Sequence, residues 1–396
     1  MQDNAPYLDV ASPAFAMHSA EVAAARERSW YARTPYGYAI LRHAEASDLV
    51  NDQRLNQGSA KWPEHNGVAA GPFKDWWSRI MLCREGVDHA RLRRLVMPSF
   101  TPRTLLPLQP KFEAIADDVI DAFAARGECD FVTEFAEAYA ARVVCLLVGI
   151  PDHEWRVITQ WAADMGQALG VHFNEELGRV EHALAELFAY ADRLIAARRA
   201  APVDDLLSAL VAAAEAGDRL SDEELRDMVV LLIFGGIDTT RNQLSLGLSL
   251  FMAHPGQWEL LAAQPALAAL AVEEVMRLKP TTTWVTREAA EDFTFKGLDI
   301  ARGTTIHLFA ASTGNDPAVY ADAPFDITRK RTPHHGFGGG IHYCLGHAVA
   351  RIDMAVAFTC LSRRLTGLAP AGEARWLPDS GNTGAEVLPV RFRLRD

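Results

Sequence analysis

The stretch FGGGIHYCLG, Phe337–Gly346, places four glycines, a histidine and a cysteine within ten residues. The run Gly338–Gly340 can take backbone angles closed to other residues, which suits a chain passing very close to something flat or bulky. A cysteine serving only the core would sit among aliphatic residues on a regular element. Three readings of Cys344 follow. It is a small residue in a turn; or it joins His342 and His347, with His334 and His335 nearby, in a zinc site, although the spacing His-x-Cys-x-x-His is tight for paired ligands; or it is a thiolate ligand of haem iron. In the last reading, a helix starting near Gly346 aims its free N–H groups at the sulfur and favours thiolate over thiol. An axial thiolate also pushes electron density onto iron.

Outward from this loop, the 396 residues are 49% hydrophobic, enough to bury a sizeable core. No Pro/Gly/Ser-rich linker or fixed-period repeat divides them. One domain over 1–396 is expected, with the N-terminal ~30 residues peripheral. A formal charge of −12 argues against nucleic acid or an anionic membrane as the main partner. The apolar run Val229–Phe234 falls far short of the ~20 residues of a membrane helix. The opening MQDNAPYLDVASPAF lacks the basic-then-apolar pattern of a secretory signal. Cys83, Cys129, Cys145, Cys344 and Cys360 are odd in number and form no CxxC pair, so a reducing, cytoplasmic setting is expected.

Apolar periodicity predicts helices over Lys111–Phe123 and Val180–Ala197. A third runs from Ser221 to Met252, opening with a Ser221/Glu224 capping box and spanning roughly 45 Å. A helix apolar nearly all round belongs in the middle of a protein. Strand signals are short: Tyr38–Leu41, Phe293–Phe295, Thr304–Leu308 and Val390–Leu394. The expected architecture is mainly α with a minor, non-parallel β region.

Within the long helix, GGIDTT (Gly235–Thr240) sets two glycines, an acid and two hydroxyls into an apolar run. One reading is a kink, Thr239 bonding back to a carbonyl one turn earlier while Asp238 faces a polar neighbour. The other is a groove opened by the glycines, where O2 sits beside a hydroxyl and an acid.

Phe337-Gly-x-Gly-x-His342-x-Cys344-x-Gly346 resembles the cysteine-loop signature of the cytochrome P450 superfamily, and the supporting motifs follow in that family's order almost to the C-terminus. GGIDT is similar to its distal-helix signature, closely so to the camphor-hydroxylating branch. The resemblance implies a helical triangular prism with a small β-rich lobe, a haem b cofactor (iron protoporphyrin IX) ligated by Cys344, Thr239 positioning a water near O2, and Asp238 relaying protons. Thr240 is a competing hydroxyl. Glu274 and Arg277 match the family's Glu-x-x-Arg pair, with Glu273 out of register, while Pro324 stands near the usual place of a third polar member. His89, Arg93, Arg287 and His342 match its haem-propionate positions. Substrate-lining candidates are Trp76 and Trp77, which as neighbours face apart, with Phe173, Phe234, Thr283, Trp284 and Thr383.

The implied activity is monooxygenation of a small or medium, mainly apolar molecule. Electrons would come from a ferredoxin and its NAD(P)H-dependent reductase, docking near Arg91, Arg94, Lys330, Arg331 and Arg351. Peroxide-driven oxygenation, desaturation, oxidative coupling and a non-catalytic haem or ligand binder are the alternatives.

Overall fold

The computed structural model describes residues 5–171, 173–215, 220–321, 324–330, 333–379 and 381–395. Helices dominate, and the strands form small sheets. The central element is the helix Asp222–Ala253. Its start is set by both bonds of the capping box: Glu224 N–H donates to Ser221 Oγ at 3.1 Å, and Ser221 N–H to the Glu224 carboxylate at 2.9 Å. Asp222, Glu223 and Glu224 add favourable charge to the first turn. Most of its length is buried, from Leu225 to Phe251, with the helices Glu137–Val148, Trp155–Gly166 and Leu177–Ala200 packed around it. The helix runs unbroken through Gly235 and Gly236.

The two periodic segments are helices over Gln109–Asp121 and Leu177–Ala200. The second begins and ends on turns of mixed polarity that an apolar stripe does not mark. The main sheet orders its strands Tyr31–Thr34, Gly37–Ile40, Thr305–Phe309, Trp284–Ala289, Leu55–Gln57. The expected non-parallel β region needs one correction: Gly37–Ile40 pairs in parallel with Thr305–Phe309. Direction of pairing depends on where a distant strand returns, and alternation along one strand does not encode it.

The N-terminal segment is not peripheral either. Leu8, Val10, Met17 and Val22 are buried in the largest apolar cluster, and the Phe15 ring meets Phe309 edge-on at 6.2 Å. These residues enter the core singly, without a periodic run to announce them.

Candidate active site

The cysteine loop needs its glycines for local geometry. Gly338 and Gly340 have φ of 69° and 67°, the left-handed region, while a Cβ on Gly339 would lie 2.8 Å from a Val50 methyl. The turn closes with Cys344 N–H donating to Phe337 O at 3.0 Å, and the helix His347–Arg364 follows immediately. Burial pushes the Cys344 thiol above its ordinary pKa; the Gly346 N–H, Arg93, Arg351 and the His347 N–H all pull the other way. That set of donors and cations is what a thiolate needs. The zinc reading finds no support, because the histidines disperse. His334 Nε2 lies 3.3 Å from Glu273, His335 bonds Ser47 and Thr313, and His347 meets Arg351. Among the described residues no group of three ligands converges.

Beside the loop, the four residues expected to hold propionates come together. His89 lies on the helix Gly86–Val96, and its ring is 4.0 Å from that of His342. Arg93, one turn on, donates to Tyr343 O at 2.6 Å. Arg287, on the strand Trp284–Ala289, is 4% exposed and donates to Gly339 O at 2.9 Å, to Val50 O and to Thr286 O. Among the described residues no carboxylate hydrogen-bonds to it, and burial pushes its pKa down to about 10 against the pull of Glu85. Burial, then His342 and Arg93, pushes His89 down to about 4. His342 Nε2 is buried without a well-aligned partner, 3.4 Å from Glu85 Oε1. A buried guanidinium bonded, among the described residues, to carbonyls alone and a buried imidazole nitrogen with a loosely aligned acid beside it fit the two carboxylates of haem. Sequence reading missed Glu85, the acid beside these four residues. Its place before the His89 helix was its only signal.

On the central helix, Thr239 Oγ1 donates to Gly235 O at 2.7 Å, the bond of the kink reading without a break in the helix. The donated hydrogen leaves the oxygen lone pairs able to accept from water. A Cβ on Gly235 would meet nothing within 4 Å, so the helix has an open side where its neighbours are otherwise packed. Asp238 is buried and accepts from three donors: Arg241 at 2.8 Å, Asn242 at 3.2 Å and Asn382 at 2.7 Å. Burial raises its pKa in spite of Arg241 and Asn382. Arg241 also reaches Glu137 at 3.6 Å, a half-exposed acid whose pKa burial raises too. Thr240 is buried.

Behind the loop, Arg277 donates to both oxygens of Glu274 at 2.8 and 2.6 Å and to Gly314 O at 2.6 Å, with the Tyr320 ring 4.7 Å away. The third member is Arg329, 3.3 Å from Glu274, and not a residue at Pro324. Glu273 is no bystander. It pairs with Arg351 at 2.5 Å and with His334, and although burial opposes ionisation, these partners hold its pKa at about 2. Of the proposed docking cations, Arg351 is therefore engaged internally, and Arg91 pairs with Glu224. Arg94 and Lys330 are exposed, and Arg331 lies outside the described residues.

Trp76, Trp77, Phe173 and Phe234 share one apolar cluster, together with Leu345 of the cysteine loop at its edge. Thr283 and Thr383 use their hydroxyls on Gly381 O and Leu377 O. Trp284 stacks on His307 at 4.8 Å and Phe309 at 5.9 Å within the sheet.

A mainly helical fold whose cysteine loop has Arg93, Arg287 and two histidines beside it, with a buried Glu–Arg pair on a nearby helix, fits a haem-thiolate protein. The cytochrome P450 family profile matches residues 158–264 and 256–393. Luteothin monooxygenase of Streptomyces thioluteus is 39% identical over 391 residues, 98% of this chain and 96% of that one. Mycinamicin IV hydroxylase/epoxidase of Micromonospora griseorubida is 32% identical over 368 residues, 90% and 91%. The crystal structure of CalO2 superposes with a TM-score of 0.86 at 30% identity, covering 96% of this chain and 99% of that one. The chain belongs to the cytochrome P450 family and is a haem-thiolate monooxygenase. Among the described residues no helix is long and apolar enough to cross a membrane.

Proposed function

We propose that the protein binds haem b through Cys344 and oxygenates a mainly apolar small or medium molecule, with electrons delivered by a ferredoxin and its NAD(P)H-dependent reductase. The convergence of His89, Arg93, Arg287 and His342 on the loop of Cys344 carries this reading. Haem bound there supplies an iron that activates O2 at the expense of two electrons. Arg93, Arg287 and the two histidines would hold the propionates, and the Gly346 and His347 N–H groups with Arg93 and Arg351 oppose the burial that raises the Cys344 pKa. The reduced, CO-treated protein tests it: a Soret band strongly red-shifted from that of histidine-ligated haem is expected, and its absence overturns the reading.

A charge-assisted bond contributes ~1.5–3 kcal/mol. Arg287→Ala should therefore speed haem transfer to apomyoglobin about tenfold or more. Equal transfer from variant and wild type would reject the propionate role.

Proton delivery falls to the central helix. Glu137 is partly exposed, Arg241 links it to Asp238, and Thr239 keeps lone pairs with which to orient a water on the open side at Gly235. A positioned proton donor typically contributes ~10²–10⁴-fold. Thr239→Ala should leave substrate affinity, read from the spin-state titration, nearly unchanged while sending most reducing equivalents to hydrogen peroxide. Measuring NADH, product and peroxide together checks it. Wild-type coupling in that variant would transfer the role to Thr240.

A further inference from the structure

A loop near the C-terminus, residues 381–385, crosses the central helix at Asp238. Three bonds hold it without any help from the Asn382 side chain. Thr283 N–H donates to Gly381 O at 2.9 Å, Thr383 N–H to Thr281 O at 2.8 Å, and Ala385 N–H to Ser245 Oγ at 3.0 Å. The Asn382 amide, 8% exposed, is directed instead at the acid: its Nδ2–H donates to Asp238 Oδ2 at 2.7 Å.

The amide is oriented from its other end. Thr281 Oγ1–H donates to Asn382 Oδ1 at 2.8 Å, which leaves the NH2 group to meet a carboxylate, and an ionised carboxylate only accepts. Asn242 adds a longer bond to Oδ2 at 3.2 Å. Arg241 donates to the other oxygen, Oδ1, at 2.8 Å and reaches Glu137 at 3.6 Å. The helix Trp155–Gly166 closes a further side, since a Cβ on Gly166 would lie 2.8 Å from Oδ1 and 2.9 Å from Cγ. The charged groups facing Asp238 are thus Arg241 and, beyond it, Glu137; Gly166 and Asn382 bring no charge.

We propose that Asn382 is a positioning residue for proton delivery, holding Asp238 Oδ2 from the C-terminal loop so that Oδ1 stays turned to Arg241 and the path from Glu137. This rests on the role given to Asp238 above. Burial raises the Asp238 pKa and the Asn382 bond opposes it, so removing the amide favours the protonated acid.

Infrared difference spectroscopy of the holoenzyme tests this, following with pH the carboxyl C=O stretch that Asp238→Asn removes. Asn382→Leu should move its midpoint up by about one to two pH units, the size of one charge-assisted bond. That change strands no second group, because Thr281 Oγ1–H keeps Thr383 O as an acceptor at 2.7 Å. Thr281→Val frees the amide to turn and should give a smaller shift in the same direction; it carries the test if Asn382→Leu does not fold. Ser245→Ala loosens the same loop away from the acid and should leave the midpoint in place. With a substrate found from the haem spin-state shift, the acid limb of product formation should rise by the same interval in Asn382→Leu, with substrate affinity within about twofold. An unmoved midpoint in both variants overturns the proposal, as does a moved midpoint that the pH profile does not follow. Failure of the proton-delivery role looks different, because Asp238→Asn would then turn over as fast as the wild type.

Discussion

Replacing Cys344 with serine should abolish oxygenation and remove the thiolate shift from the CO-bound spectrum. Serine matches the cysteine in shape, so the close passage of Gly339 by Val50 and the Cys344–Phe337 backbone bond remain. What is lost is the soft sulfur donor, since a hydroxyl is far harder to ionise than a thiol, whose proton loss burial opposes but Arg93 and the Gly346 N–H favour. The same substitution elsewhere provides the control. Cys129, Cys145 and Cys360 are buried, with thiols pushed up by burial to about 12, 12 and 11, and Cys83 is raised likewise. Serine at any of these four should leave the spectrum unchanged. Activity and a red-shifted band surviving in Cys344→Ser would place the iron ligand elsewhere.

Arg277→Ala should prevent recovery of haem-loaded protein. The guanidinium is 1% exposed and bonds Glu274 twice, Gly314 O once and the face of Tyr320. Removing it strands the Glu274 carboxylate, 3% exposed, with only Arg329 and the Asp326 N–H. Breaking such a pair costs about 3–5 kcal/mol, a large part of a typical domain's total stability. Arg277→Lys should rescue little, because an ammonium cannot reproduce the planar fork. Haem content after purification and thermal unfolding measure the effect. Normal haem content in Arg277→Ala would show that the pair does not brace the loop.

The two effects differ in how visible their causes are along the chain. Local spacing carries the cysteine loop, since positive φ and close approach are properties of Gly338–Gly340 themselves. The i,i+3 pair Glu274/Arg277, the i,i+4 pair His89/Arg93 and the Ser221/Glu224 box lie within one or two helical turns, where sequence distance and spatial distance agree. The choice between kink and groove at Thr239 stayed open in sequence because both use the same side chain; the structure has the back-bond and the open side together.

By itself the sequence determined the family, the mainly helical class, the cysteine loop and the cations beside it. Each is written in residues a few positions apart or in a pattern of glycines. Tertiary structure alone decided which distant side chains complete the site. Arg329 reaches Glu274 across 55 positions, Arg351 finds Glu273 across 78, and Asn382 ties the C-terminal loop to Asp238 across 144. It also left the Trp76 N–H without a partner among the described residues while satisfying that of Trp77. Hydrogen-bond partners over such separations depend on where folded loops cross the central helix, and no periodicity in a single chain records those crossings.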